Sequence, residues 1–191
     1  MAALAVALPI TFFTTQPPPL LPFGHQPKVK TLNEDFDSFG RLRQRLGAPD
    51  ATDYLSSPTE IASKGETQMW QIYNTTADVH PMHFHLVNVQ VVKREAYAFD
   101  SDGRPQTPLR AIPGTAKLPD PNEFGWKETV RMNPGEVTTV LMKFDLPPGT
   151  VQPSPRLQAS YGIRGAEYVW HCHILEHEEH DMMHSLVITG I

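Results

Sequence analysis

The only cysteine of this 191-residue chain lies in a run of metal-ligand side chains near the C-terminus. Cys172 is flanked by His171 and His173, with His177 five residues after the cysteine and Met182 five residues further on. A blue-copper centre needs one thiolate, two imidazoles and a weak axial thioether. Cys172, His177 and Met182 can supply three of these four groups. The pattern therefore predicts a copper site whose fourth ligand comes from elsewhere in the chain.

A second histidine motif lies about ninety residues upstream of the cysteine. The run His80-Pro81-Met82-His83-Phe84-His85 is followed by an apolar, β-branched stretch from Leu86 to Val92. This order predicts a turn that leads into a strand. The motif can supply the missing imidazole and leaves further histidines for a second site.

The spacing within both motifs predicts how their side chains divide between two faces. At the two-residue period of a strand, His83 and His85 would point to one face, and His171 and His173 would do the same on either side of Cys172. Cys172 would then point the opposite way from its histidine neighbours. One short backbone segment would thus join a thiolate-bound copper to a second, histidine-bound copper site.

These two motifs resemble the signatures His-Pro-x-His-x-His and His-Cys-His-x3-His-x4-Met of the C-terminal cupredoxin domain of multicopper oxidases. The local sequences Ile174-Leu175-Glu176-His177-Glu178 and Thr31-Leu32-Asn33-Glu34 are most similar to the bacterial branch that contains spore-coat laccase, phenoxazinone synthase and bilirubin oxidase. The similarity runs from about Lys28 to Ile188. It implies a Greek-key cupredoxin β-sandwich and laccase-like chemistry, in which a small reducing substrate loses single electrons and oxygen is reduced to water.

The resemblance also implies roles for individual side chains. The copper ligands it implies are His80, Cys172 and His177 with axial Met182 for type 1 copper, His83 for type 2 copper, and His85, His171 and His173 for the type 3 pair. Met183 is the alternative axial ligand, disfavoured by its spacing from Cys172. Glu178 stands where the spore-coat-type enzymes carry an acid that helps to deliver protons to oxygen, and a solvated loop carboxylate is its alternative role.

Half of the cluster ligands of the family are absent from this sequence. A trinuclear cluster takes eight histidines, and the four that come from a separate N-terminal domain have no counterpart here. We therefore expect a fragment, a separately encoded domain or one half of an assembly, completed by an N-terminal cupredoxin domain or by a second copy of the chain. The alternative function is a single-copper electron carrier without oxygen chemistry, although such a carrier needs none of the four cluster histidines.

The first residues of the chain predict an extension rather than part of the domain. We expect residues 1–27 to be an extension or linker and residues 28–191 to be the cupredoxin domain. Met1 to Phe13 is apolar but lacks a basic start, so it is either a signal-peptide remnant or a strand that continues from an upstream domain. The prolines between Pro17 and Pro22 favour an extended, polyproline-like connector. The compartment stays open, with an extracytoplasmic or secreted location among the options.

Composition narrows the class of protein. The chain is 40% hydrophobic and 19% charged, which is typical of a globular domain. It has no apolar run of the length that a membrane span requires. A net charge of −5 argues against a nucleic-acid partner. A single cysteine excludes an internal disulfide.

Strand signals outnumber helix signals and predict an all-β, Greek-key sandwich. Strands are expected at residues 69–73, 86–92, 128–132, 137–144, 168–170 and 186–188. Residues 36–46 have partial helical spacing and are expected to be irregular or a short helix, and residues 99–126, with five prolines, are expected to wrap over the surface. Asn74-Thr75-Thr76 fits a glycosylation acceptor, although an ordinary strand end is more frequent. His180 and His184 match no family ligand and are expected at the surface or in loops.

Overall fold

The computed structural model describes residues 26–149 and 151–191. Its strands are β1 (Lys28–Phe36), β2 (Leu42–Gly47), β3 (Ala51–Thr52), β4 (Glu60–Ser63), β5 (Thr67–Asn74), β6 (His80–Phe84), β7 (Val89–Ala96), β8 (Thr129–Met132), β9 (Glu136–Lys143), β10 (Ala166–Cys172) and β11 (Met183–Thr189). The described residues also form two short α-helices, α1 (Pro155–Tyr161) and α2 (Leu175–Glu179), and one 3-10 helix (Pro121–Glu123). Within the described ranges, neither these nor any other helix is long and apolar enough to cross a bilayer. The expectations for the leader and the polyproline connector lie outside the described residues.

The strands form two sheets that pack face to face. One sheet has six strands in the order β3-β2-β1-β5-β9-β7, and the other has five in the order β4-β11-β10-β6-β8. Most neighbours are antiparallel, whereas β1 runs parallel to β5 and β11 runs parallel to β4. Strands far apart in sequence are therefore neighbours in space. The all-β sandwich predicted from the sequence is confirmed.

Large aromatic side chains join the two sheets in the centre of the sandwich. Trp70 of β5 lies with its ring centroid 5.3 Å from that of Trp170 of β10, and Phe84 of β6 stacks on Trp170 at 6.1 Å. All three are buried, and each such side chain stabilises the fold by about 1.5–3 kcal/mol. Cys172 belongs to the same core cluster. The thiol is therefore carried on a strand that the core holds firmly.

A buried charge cluster, consisting of Lys30, Glu60 and His184, also connects the sheets. Lys30 Nζ of β1 lies 2.5 Å from Glu60 Oε1 of β4, and His184 Nδ1 of β11 lies 2.6 Å from Glu60 Oε2. All three side chains are at most 3% exposed. The expectation that His184 lies at the surface is wrong, because its partner Glu60 is on the neighbouring parallel strand of the same sheet.

The short helix considered for residues 36–46 is not present; the segment is a β-hairpin. Asp37 Oδ1 accepts hydrogen bonds from the backbone N–H groups of Phe39 and Arg41, and Gly40 has a φ of +75°. The strands on either side pair Asp35 with Arg43 at 3.1 Å between side chains. An Asx-type turn and cross-strand ion pairs outweigh the partial helical spacing.

The first histidine motif is itself a strand rather than a turn. β6 covers His80–Phe84 and lies between β10 and β8, so both of its edges are paired. The chain turns only afterwards, where Leu86 has a φ of +73°, and β7 begins at Val89. The turn expected at the motif is therefore displaced by a few residues, because pairing on two sides extends the backbone through the motif.

Candidate metal centres

Strand pairing brings the two sequence motifs side by side. β6 and β10 are antiparallel, with His83 opposite His171 and Met82 opposite Cys172. Because directly opposed residues project to the same face of a sheet, the two histidines share one face, and Cys172 projects to the other. The division of faces that the spacing predicts agrees with this register.

The segment after β10 folds back toward the cysteine. Helix α2 begins after two intervening residues, and its His177 N–H donates to the Ile174 carbonyl at 2.9 Å. The Met182 N–H then donates to the His177 carbonyl at 2.8 Å, and the Cys172 N–H donates to the Met182 carbonyl at 3.0 Å. Asp181 adopts a φ of +68°, which allows this reversal. His177 and Met182 are thereby held beside the end of β10.

Three donor atoms form a compact triangle on the inner face. Cys172 Sγ lies 3.5 Å from His80 Nδ1 and 3.4 Å from His177 Nδ1, and the two nitrogens are 3.1 Å apart. Donors bound in a plane at about 2.0–2.3 Å around one metal ion stand about 3.5–3.8 Å apart, so the triangle needs only a small expansion. One thiolate and two imidazoles are a donor set that suits copper.

The two methionines after this triangle differ in burial. Met182 is completely buried in the core cluster that also contains Cys172. Met183 is half-buried and opposes His171 in the ladder between β10 and β11. Burial beside the cysteine favours Met182 over Met183 as the thioether that accompanies the triangle.

Burial shifts the pKa values of the three donors. It raises the pKa of the Cys172 thiol to about 11, against a hydrogen bond from the Ile174 N–H, and the charge of Glu178 adds to the rise. Burial together with the neighbouring His177 lowers the pKa of His80 to about 4. Burial also lowers the pKa of His177. At neutral pH the imidazoles are thus neutral donors, while the thiol keeps its proton until a metal ion displaces it.

A second group of imidazoles lies on the opposite face of β10. The ligand nitrogens of His83, His85 and His171 all lie within 4.8 Å of one another. His171 Nε2 is 3.3 Å from His85 Nε2, and His171 Nδ1 lies 2.9 Å from the Cys172 carbonyl oxygen. Because a carbonyl only accepts, Nδ1 carries the hydrogen and Nε2 keeps its lone pair. The His173 ring lies 5.3 Å from that of His171, centroid to centroid.

This histidine group is open to solvent, unlike the thiol triangle. His85 and His173 are exposed, His83 is half-buried, and His171 is buried. Burial and the neighbouring His171 lower the pKa of His85. The group therefore presents several imidazole nitrogens at the surface of the domain, where another protein surface can reach them.

Glu178 lies beside the histidine group. Its Oε1 atom is 3.3 Å from His171 Nδ1 and 3.8 Å from His173 Nδ1, and its side chain is 25% exposed. A carboxylate in this position contacts both solvent and the imidazoles. His180, two residues after Glu178, lies away from this group: its Nδ1 atom is 2.8 Å from Gln44 Oε1 of β2.

Two residues that contact the sites were not identified from the sequence. Thr76 Oγ1 lies 2.6 Å from His80 Nε2, and Thr129 Oγ1 lies 3.0 Å from His83 Nδ1. Thr76 belongs to the triplet considered as a glycosylation acceptor. Asn74 is fully buried, and its amide nitrogen donates to two backbone carbonyls, so this fold leaves no room for a glycan on its side chain. No periodicity in the sequence indicates the Thr76 contact, which forms in the loop between β5 and β6.

Residues 25–190 match a family model described as multicopper oxidase. Over 131 residues the chain is 37% identical to a laccase from Bacillus subtilis, which covers 69% of this chain and 22% of that protein. Over 172 residues it is 33% identical to a laccase from Bacillus stratosphericus, which covers 90% of this chain and 29% of that protein. The chain thus spans less than a third of the length of these relatives.

The fold is similar to that of solved multicopper oxidases. A crystal structure of a multi-copper oxidase from Pediococcus acidilactici matches with a TM-score of 0.58 at 22% identity, covering 91% of this chain and 28% of that one. The McoA multicopper oxidase from Aquifex aeolicus matches with a TM-score of 0.57 at 22% identity, covering 90% of this chain and 31% of that one. This similarity concerns the fold and confirms the cupredoxin-type sandwich.

Proposed function

Because the chain belongs to the multicopper oxidase family, we propose that it is the copper-binding cupredoxin domain of a laccase-like oxidase. In this proposal residues 28–191 form the domain, and residues 1–27 extend or link it. The domain carries one complete type 1 site and half of the ligands of a trinuclear cluster. The activity is the one-electron oxidation of a small reducing substrate, coupled to the reduction of oxygen to water.

The observation that carries this proposal is the pair of ligand groups on opposite faces of β10. The type 1 ligands we propose are His80, Cys172 and His177, with Met182 as the axial thioether. The cluster ligands we propose are His83 for the type 2 ion and His85, His171 and His173 for the type 3 pair. A buried thiol triangle and a solvent-facing imidazole group are what a domain needs if its cluster is shared with a partner.

Copper, when bound, supplies reversible one-electron chemistry and, as a cluster, the capacity to reduce oxygen to water. The chain contributes a direct connection between the two sites, because the peptide units on either side of Cys172 lead to His171 and His173. His177 is 7% exposed and is the one residue of the triangle that reaches solvent, whereas His80 and Cys172 are completely buried. A reducing substrate would therefore approach at His177.

Glu178 is the proposed proton donor to the cluster. Its Oε1 lies within 4 Å of the imidazole nitrogens of His171 and His173, and a quarter of the side chain remains in solvent. A carboxyl group there can take a proton from water and hold it beside the imidazoles. Glu178→Gln should slow oxygen reduction in the completed enzyme while the thiol-copper colour is unchanged. Full turnover in this variant would show that Glu178 is a solvated loop carboxylate with no part in proton delivery.

A partner must supply the remaining cluster ligands. The exposed His85 borders an open depression of about 530 Å³ that is also lined by Tyr54, Gln152 and Tyr168. A polar, aromatic-lined depression beside ligand histidines suits the surface of another cupredoxin domain. We propose that this face contacts an N-terminal cupredoxin domain or a second copy of the chain.

Copper stoichiometry tests the proposal. The copper-loaded chain is separated by gel filtration, and copper content, mass and visible spectrum are measured on the same peak. One blue copper per monomer supports a domain whose cluster awaits a partner; about five coppers per dimer, two type 1 ions and one shared cluster, indicates self-completion and should be accompanied by oxygen consumption. A chain that binds no copper at Cys172 would contradict the proposal. A single blue copper with no metal taken up by the histidine group, even with a partner domain added, would favour a simple electron carrier.

A further inference from the structure

A buried polar network surrounds the nitrogen of His80 that faces away from Cys172. His80 Nε2 lies 2.6 Å from Thr76 Oγ1, which in turn lies 2.9 Å from Asn74 Oδ1. His80 and Asn74 are completely buried, and Thr76 is 7% exposed. Because buried polar atoms need partners, the donor in each contact can be identified from the groups whose chemistry is unambiguous.

The orientation of the Asn74 amide is decided by backbone groups. Asn74 Nδ2 lies 2.7 Å from the Asp78 carbonyl oxygen and 3.1 Å from the Met132 carbonyl oxygen, and carbonyls can only accept. Asn74 Oδ1 lies 3.0 Å from the Thr76 backbone nitrogen, which can only donate. Rotating the amide by half a turn would place oxygen against two carbonyls. Asn74 Oδ1 is therefore the acceptor that faces Thr76.

The Thr76 hydroxyl has one hydrogen to give. The hydroxyl faces two acceptors that have no hydrogen of their own, Asn74 Oδ1 at 2.9 Å and the Asp78 carbonyl oxygen at 3.3 Å, so its hydrogen is directed at these oxygens. Thr76 Oγ1 also accepts from the Asp78 backbone N–H at 3.2 Å. Its remaining lone pair faces His80 Nε2, so the hydrogen in this contact must come from the imidazole.

We propose that Thr76 and Asn74 are positioning residues that hold His80 as its Nε2–H tautomer, which presents Nδ1 as a free lone pair to a metal ion. Nδ1 is the atom that faces Cys172 Sγ at 3.5 Å and His177 Nδ1 at 3.1 Å. Hydrogen bonding at one ring nitrogen commonly decides which nitrogen of a histidine binds metal. The inference rests on the proposed function only in taking copper as the metal ion that Nδ1 binds.

The network is itself anchored to a second, smaller buried cluster that contains Tyr73 and Tyr97. The Tyr97 hydroxyl donates to the Asn74 carbonyl oxygen at 2.7 Å, and the Tyr97 ring packs on Tyr73 at 5.5 Å between centroids. Asn74 is thus held at its backbone as well as at its side chain. The acceptor that faces His80 Nε2 is therefore held by a side chain that is itself fixed at both ends.

The tautomer can be measured in the metal-free chain by long-range ¹H–¹⁵N correlation NMR with ¹⁵N-labelled histidine. At pH 7, well above the His80 pKa of about 4, the imidazole is neutral and its two nitrogens have different shifts. The His80 signal is assigned by its loss in His80→Gln. We expect a protonated Nε2 and an unprotonated Nδ1. A protonated Nδ1 in the wild-type chain would overturn the proposal without any Thr76 variant.

Variants of Thr76 then test the cause. Thr76→Val removes the acceptor at similar size and should produce a mixture of tautomers, whereas Thr76→Ser keeps the hydroxyl and should behave as the wild type. Thr138→Val is the matched control, since the Thr138 side chain is buried and its hydroxyl has no hydrogen-bond partner among residues 26–149 and 151–191. An unchanged His80 tautomer in folded Thr76→Val would show that Thr76 does not determine it.

Metal affinity supplies the second readout. Cobalt(II) binding at Cys172, followed by its thiolate absorption band, should weaken about 10–100-fold in Thr76→Val and be unchanged in Thr76→Ser and Thr138→Val. Equal affinity in Thr76→Val and the wild type would contradict the positioning role. If the wild-type chain bound no cobalt at Cys172, the proposed type 1 site would fail, while the tautomer measurement would still decide the inference about His80.

Discussion

Metal binding at the buried triangle should release close to one proton, and that proton should come from Cys172. The pKa of Cys172 is raised to about 11 and that of His80 is lowered to about 4. At pH 7 these pKa values correspond to a fully protonated thiol and a His80 that is about 0.1% protonated. His177, whose pKa lies below its ordinary value of 6.5, holds less than about a quarter of a proton.

The expected release at pH 7 is therefore about 1.0–1.2 protons per metal ion. The contrast with exposed ligands is larger at pH 5. There the triangle should release at most about two protons, whereas three ligands with ordinary pKa values would release about three. Because the proton must leave before the thiolate can bind, affinity should rise about tenfold per pH unit above pH 7. The rise continues until the pH approaches the pKa of Cys172.

The assay is isothermal titration calorimetry with cobalt(II), which binds thiolate without oxidising it. Titrations at one pH in buffers of different ionisation enthalpy yield the number of protons released. A parallel titration of Cys172→Ser reports the protons released when the histidine group binds metal without the thiol. The difference in proton release between the wild type and this variant is assigned to the triangle. A difference near zero at pH 7, or an affinity that does not change from pH 7 to 9, would mean that Cys172 is already a thiolate and that burial does not control its protonation.

Three further outcomes are expected. Cys172→Ser should abolish the intense blue absorption of the copper-loaded chain but leave histidine-bound copper visible by electron paramagnetic resonance, and His83→Ala should spare the blue colour; bleaching by His83→Ala would mean that the two ligand groups are wrongly divided. Glu60→Gln should lower the free energy of unfolding, measured in urea, by about 3–5 kcal/mol, since it breaks the buried charge cluster. The control Asp120→Asn breaks the half-exposed ion pair with Arg131, 2.7 Å long, and should lower it by at most about 1 kcal/mol. Similar losses in both variants would contradict the role of burial. Although burial alone would raise the pKa of Glu60, the hydrogen bond from His184 and the charge of Lys30 hold this pKa below 4.5. The stabilisation from Glu60 should therefore be complete above pH 4.5 and disappear as the pH falls through the lowered pKa. A stability difference between the wild type and Glu60→Gln that stays constant from pH 7 to pH 3 would refute this.

Local sequence was sufficient to predict the features that depend on residue spacing, namely side-chain direction and the positions of most strands. The alternation of His171 and Cys172 at the end of β10 dictates that the thiol and the His171 imidazole project to opposite faces, whatever the rest of the fold. Most expected strands are present for the same reason, because alternating apolar residues reflect the period of the backbone. β7 begins three residues later than expected, at Val89, because the chain reverses at Leu86.

Pairing between strands decided what residue spacing could not. The segment from Phe36 to Leu46 is a hairpin because Asp37 forms a turn and the flanking strands pair, with Asp35 opposite Arg43, and the partial helical spacing does not reveal this pairing. His184 is buried because Glu60, more than a hundred residues earlier in the chain, lies on the next strand. Pairings of this kind depend on sheet order, which the sequence does not display.

By itself, the sequence identified the side chains that could bind metal, the opposite directions of His171 and Cys172 in one strand, the family and the all-β class, because these follow from residue identity and from the period of an extended backbone. Tertiary structure alone decided which atoms meet. Pairing of β6 with β10 and the return of the chain through α2 place His80 and His177 within 3.5 Å of Cys172 Sγ. Burial then sets the pKa values of these donors, and the packing of Asn74 and Thr76 orients His80. The meeting of His80 with Cys172 and His177 depends on residues more than ninety positions apart, which only folding brings together.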